Sequence, residues 1–122
     1  MNWSDYPDFP KSEFDCKHTG LNEMKPEFMS KLQELRKRYG RPLKITSGYR
    51  HPTHPIEARK GSKTGEHTFG TCADVSCTSG SDRFELIRLA LEVGFTRIGI
   101  AKTFVHLGIG HETLPKNVIW DY

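Results

Sequence analysis

No run of apolar residues in this sequence is long enough to cross a bilayer, so a membrane-spanning helix is excluded. There is no internal repeat and no low-complexity tract, and the chain therefore reads as one compact unit. The opening MNWSDYPDFPKSEF carries acidic residues and prolines where a secretory signal needs a basic start and an apolar run. Export by that route is not expected. Cysteine is scarce as well: Cys16, Cys72 and Cys77 make an odd count, which excludes a closed disulfide framework without a partner chain. A Cys72–Cys77 bond is conceivable, but placed in one strand the two side chains would point to opposite faces, so free thiols are expected. Lysine and arginine form no long basic run, and the net charge of +3 is mild. With no aromatic-basic stripe and no recognition helix, little supports a nucleic-acid-binding domain.

What is present is an ordinary globular composition, 35% hydrophobic and 27% charged over 122 residues. That length suits a single domain spanning 1–122 with a modest core, so any substrate must lie in a surface cleft. Residues 1–20 are expected to be irregular and to wrap the core through Trp3, Phe9 and Phe14, and residues 111–122 to form a tail. From Lys25 to Tyr39 the residues Phe28, Leu32, Leu35 and Tyr39 recur at helical spacing, with Pro26 suited to the first turn and Gly40 to the stop. Leu43–Ser47 alternates as a short strand leading into Gly48-Tyr49-Arg50. Residues 51–66 read as a long loop, which in a small domain is more often functional than idle. Cys72–Cys77 is the next strand. Ser81 and Asp82 are placed to cap a helix with an apolar face of Phe84, Leu86, Ile87, Leu89, Ala90 and Val93, ended by Gly94. Thr96–Ala101 and Phe104–Ile109 flank Lys102 and Thr103, a spacing suited to a tight hairpin. The predicted class is α+β, helices packed against a small, mainly antiparallel sheet.

Strand alternation then sorts the polar residues. In the last strand Val105, Leu107 and Ile109 share one face, leaving Phe104, His106 and Gly108 on the other. In the earlier strand Ala73, Val75 and Cys77 face the apolar side and Cys72, Asp74 and Ser76 the opposite one. Asp74 and His106 therefore share a face if the two strands are sheet neighbours. His67 stands at the mouth of the earlier strand, with Gly70 allowing a sharp turn before Asp74. Two imidazoles and one carboxylate meet the requirement of a catalytic zinc site, three protein ligands and one position left for water. The spacing alone is weak evidence, since it also fits a surface histidine and an aspartate that caps a turn.

Ser47-Gly48-Tyr49-Arg50, then His67-Thr68-Phe69-Gly70-Thr71-Cys72-Ala73-Asp74, then Phe104-Val105-His106 occur in that order. In this the chain resembles, from about Ser12 to Gly110, the D-alanyl-D-alanine carboxypeptidase family of M15 zinc peptidases, whose fold is shared with the amino-terminal domain of hedgehog proteins. The family patterns are S-G-Y-R, H-x-x-G-x-A-x-D and commonly F-x-H-x-D. Ser12-Glu13-Phe14 and Leu32-Gln33-Glu34-Leu35-Arg36 resemble short members, many of them phage lysins. The resemblance implies zinc held by His67, Asp74 and His106, and a substrate among the peptidoglycan stem peptides, cut as a D,D-carboxypeptidase or an L-alanyl-D-glutamate endopeptidase. It implies for Arg50 a role at the scissile carbonyl or a substrate carboxylate, where a guanidinium stabilises developing negative charge. The plainer role for Arg50 is pairing with Glu57 or Glu66. A monomer acting on the cell wall after cytoplasmic synthesis, released in the manner of a phage lysin or carried in a virion, completes the expectation.

The chain departs from the pattern at two positions. Cys72 replaces the family alanine, another small residue. Gly108 stands where short members usually carry aspartate, and Thr103 stands three before His106, where other branches keep an acidic base. A peptidase needs a group that takes a proton from water and returns it to the leaving amine. His111 is the first candidate, with Glu112 and Glu66 beside it. His18, His51 and His54 fall in irregular segments and default to solvent. The alternative reading is a zinc-containing wall-binding module of the same fold that has lost its base.

Overall fold

The computed structural model describes residues 1–60 and 65–122. Part of the expected long loop, 61–64, lies outside the described residues.

Helix α1 spans Pro26–Tyr39 and α3 spans Gly80–Val93, with a single-turn α2 at Pro55–Ala58 between them. Pro26 begins α1 because a first-turn residue needs no N–H partner, and Gly40 ends it in the left-handed conformation at φ 72°. In α3 the cap is Ser79, whose hydroxyl accepts from the Asp82 amide, rather than the expected Ser81 or Asp82. Leu86, Leu89 and Ala90 are buried and Val93 is half-buried, a helical i, i+3, i+4, i+7 stripe. Phe84 falls about 200° around the helix from Leu86 and is 71% exposed, so it does not belong to the core face assigned to it.

The strands are β1 (Ile45–Ser47), β2 (Cys72–Ser76), β3 (Arg97–Ile100), β4 (Phe104–Gly108) and β5 (Val118–Asp121), in the spatial order β1-β2-β4-β3-β5. All pairings are antiparallel except β3 with β5. The hairpin of β3 and β4 forms around Lys102 and Thr103 as the spacing predicts, closed by Ala101 N–H to the Phe104 carbonyl. The segment expected to be a plain tail supplies β5, entered through Asn117 at φ 59°. The first twenty residues hold two short 3₁₀ turns, Trp3–Asp5 and Lys11–Phe14, and bring Phe9 and Phe14 into the core.

Ala73, Val75, Val105, Leu107 and Ile98 project from one face of the sheet into a core shared with Phe28, Leu32 and Leu35 of α1 and Leu86 and Ala90 of α3. Burying such side chains contributes roughly 1.5–3 kcal/mol each. All three cysteines are free and buried. The opposite face of β2 and β4 is equally hidden but polar.

Candidate metal centre

The register of β2 against β4 sets Asp74 directly across from His106. Directly opposed residues lie about 4.5–5.5 Å apart, close enough for side chains to meet. His106 Nδ1 is 3.0 Å from Asp74 Oδ1. The third group arrives from a 3₁₀ turn, Glu66–Phe69, that precedes β2 and ends at Gly70 with φ 69°. Gly70 has two reasons to lack a side chain. Its backbone is left-handed, and a Cβ there would lie 2.8 Å from the Glu23 carbonyl carbon. The turn so placed aims His67 Nε2 at Asp74 Oδ2, 3.4 Å away.

The Ser47–Arg50 segment acts on this arrangement through its backbone. Gly48 packs so closely on Phe14 that a Cβ would lie 2.6 Å from Phe14 Cα. Its carbonyl accepts from His67 Nδ1 at 2.7 Å. Tyr49 N–H bonds to the Phe14 carbonyl and Arg50 N–H to the His67 carbonyl, stitching the segment to both neighbours. The Tyr49 hydroxyl donates to Glu23 at 2.8 Å, and burial together with that carboxylate pushes its pKa up to about 12.

Each imidazole therefore has its outer nitrogen engaged: His67 Nδ1 by Gly48, and His106 Nε2 by Glu66 Oε1 at 2.7 Å. The inner nitrogens converge on the Asp74 carboxylate. Burial alone would raise the Asp74 pKa, but hydrogen bonds and charge from His106 and His67 overcome it and hold the carboxyl well below its ordinary range. Burial would lower the His106 pKa, and the bonds to Asp74 and Glu66 outweigh it, so that group is held above its usual value. Two imidazole lone pairs and an anionic carboxylate at one point form the hard and borderline donor set that zinc takes. An outer acceptor on each ring is the arrangement that orients metal-binding histidines. The residues fit a divalent ion.

Cys72 stands one pleat along from Asp74 on the same face. Its sulfur and one nitrogen each of His67 and His106 lie within 4.8 Å of one another. The sequence pattern offered no sign of this beyond strand alternation. Complete burial, then the charges of Glu66 and Asp74, push the Cys72 thiol well up, which keeps it neutral where Asp74 is already anionic.

His67, Asp74 and His106 line a cleft of about 380 Å³. Arg50 lies on its wall, with Nη1 3.2 Å from Glu57 and Nη2 3.6 Å from Asp74, so it both pairs with Glu57 and reaches the centre. Glu57 is buried and also accepts from Lys60 and from the Gly65 amide. Burial would raise its pKa; the Gly65 amide, Lys60 and Arg50 bring it below its ordinary value. Trp120 of β5 lies over Gly99 and sets its ring 5.2 Å from that of His106. The pairing of Arg50 with Glu57 is one of the two expected from the sequence, whereas Trp120 was not marked by the sequence pattern. His111 stands elsewhere, stacked on Phe69 with ring centroids 4.0 Å apart, and lines a separate hollow with Glu112, Lys25 and Lys116. His18 is exposed and His51 and His54 are half-buried.

The site is a metal-competent centre on one face of a small α+β domain, reached from an open cleft. The family model described as Peptidase M15 matches residues 7–108, and the chain belongs to that family. Comparison with curated proteins finds no match.

Proposed function

We propose that the chain is a zinc-dependent peptidase that hydrolyses peptide bonds in peptidoglycan stem peptides, with His67, Asp74 and His106 as the zinc ligands. The observation that carries this is the convergence of His67 Nε2, His106 Nδ1 and the Asp74 carboxylate on the cleft floor while both outer ring nitrogens are held by acceptors. When bound, zinc acidifies water and polarises a carbonyl. Arg50 binds the carbonyl oxygen of the scissile bond and stabilises the charge that develops there. Ile56, Lys60, Phe104, Trp120 and Tyr122 line the cleft that takes a short peptide, with Arg50 and Lys60 suited to its carboxylates. Action on the wall by a lysin-like route belongs to the same reading.

One observation favours the second reading, a zinc-containing wall-binding module. Among the described cleft residues no carboxylate lacks a partner: Asp74 holds both histidines, and Glu66 holds His106, Arg97 and the Gly110 amide. Turnover separates the two. The peptidase releases new amino groups from purified peptidoglycan, stops when chelated and resumes with zinc, and fragment masses identify the bond cut. Binding to walls with no release between pH 5 and 9 leaves the module reading standing.

A further inference from the structure

Glu66 lies beside a ligand in sequence, yet its side chain serves the residue forty positions away. Its Oε1 is 2.7 Å from His106 Nε2 and 2.9 Å from Arg97 Nε, and its Oε2 accepts the Gly110 amide at 2.7 Å. Three donors thus surround a carboxylate only 5% exposed. Arg97 is itself fixed, bonded to the Pro115 carbonyl and lying over the Trp120 ring at 5.1 Å. The room for this carboxylate comes from Gly108. A Cβ built at Gly108 would fall 2.5 Å from Glu66 Cδ, well inside van der Waals contact. The backbone there is extended strand, so the requirement for glycine is one of space and not of conformation.

We propose that Glu66 is the positioning residue of the metal centre: it accepts the Nε2 proton of His106, which turns the ring so that Nδ1 faces the ion, and Gly108 lacks a side chain because the Glu66 carboxylate fills that volume. An imidazole can present only one lone pair at a time, and a carboxylate fixed on one nitrogen selects the other as ligand. Glu66 acts through His106 and is not a free base. This assignment rests on the reading of His106 as a zinc ligand.

The test measures zinc affinity by chelator competition in the wild type, Glu66→Ala, Glu66→Gln, Gly108→Ala, Glu66→Ala/Gly108→Ala and Glu66→Ala/Gly108→Asp. Zinc-free thermal melts and the His106 Nε2–H resonance are followed in parallel. Glu66→Ala weakens zinc by 10–100-fold and loses the exchange-protected Nε2–H signal. Gly108→Ala does the same by displacing the carboxylate, and the double alanine variant is no worse than either single one. Glu66→Ala/Gly108→Asp recovers affinity, because an aspartate at 108 carries its carboxylate into the vacated space. Glu66→Gln keeps an acceptor of the same shape, retains the fold and loses less than Glu66→Ala. Wild-type zinc affinity in a folded Glu66→Ala, or additive losses in the double alanine variant, overturns the proposal. A wild type that takes up no zinc but shows the protected Nε2–H signal overturns the peptidase reading and leaves the Glu66–His106 contact itself established.

Discussion

The two faces of the β2–β4 pair are buried to nearly the same degree and are held by opposite means. On one face Ala73, Val75, Val105 and Leu107 are in contact with the helices and need no partner of any particular geometry. On the other, Asp74 and His106 are 4% exposed and every ring nitrogen and carboxylate in the group has a stated neighbour. Apolar burial tolerates small rearrangement, whereas a buried charge that loses its partner is costly. The first face therefore contributes stability through burial that tolerates change, and the second through fixed partners that also decide what the protein can hold. Substitutions on the first face should cost stability without costing zinc, and those on the second should cost zinc whatever they also do to stability.

The largest separation is expected for Asp74→Asn, which removes the anion between the two imidazoles. Zinc uptake after dialysis and wall-peptide turnover should both vanish while the zinc-free circular dichroism spectrum persists. A variant that still takes up stoichiometric zinc would break the contrast. On the apolar face, Leu107→Ala should cost about 2–5 kcal/mol in urea denaturation through the cavity it leaves. The zinc stoichiometry of its folded fraction should not change. Arg50→Ala should lower kcat about 10²–10³-fold with zinc affinity nearly intact, because Glu57 keeps Lys60 and the Gly65 amide as partners.

Proton linkage sharpens the same division. Asp74 titrates below its ordinary 3.8 in the folded state, so its contribution to stability is present above about pH 4 and fades as the pH falls. His106 titrates above its ordinary 6.5, so its contribution is full below that value and fades as the pH rises through the raised one. Zinc-free protein should therefore melt highest between about pH 4 and 6.5, and zinc affinity should climb above that window as His106 Nδ1 gives up its proton. The smallest effect is expected for Cys72→Ala: affinity for zinc unchanged if Asp74 is the third ligand, and sharply reduced if the thiolate is.

What could be read in the chain followed the range over which each signal acts. Phe28, Leu32 and Leu35 mark α1 because helical periodicity is local, and the alternation in Phe104–Ile109 places His106 opposite the core for the same reason. The motif residues His67, Asp74 and His106 could be named, but their meeting depends on a register between strands some thirty residues apart. β5 stayed hidden because its four residues pair in parallel with β3 and alternate only between half-buried and exposed, leaving no apolar face to detect. Glu57 and Glu66 could be named as partners for Arg50, and Glu66 as a candidate base, but nothing local marked either as buried. Their burial follows from Arg50, Lys60, Arg97 and the Gly65 and Gly110 amides, and of these only Arg50 could be named as a partner from the sequence.

The indole of Trp120 gives the molecule an optical consequence. It rests tilted against the His106 ring, whereas the other tryptophan, Trp3, sits among Tyr6 and Phe14. A cationic imidazole quenches a neighbouring indole, and an ion seated on the same ring displaces the proton that makes it cationic. Emission from one residue should brighten as the ion enters, so that occupancy can be followed in unlabelled protein by light alone.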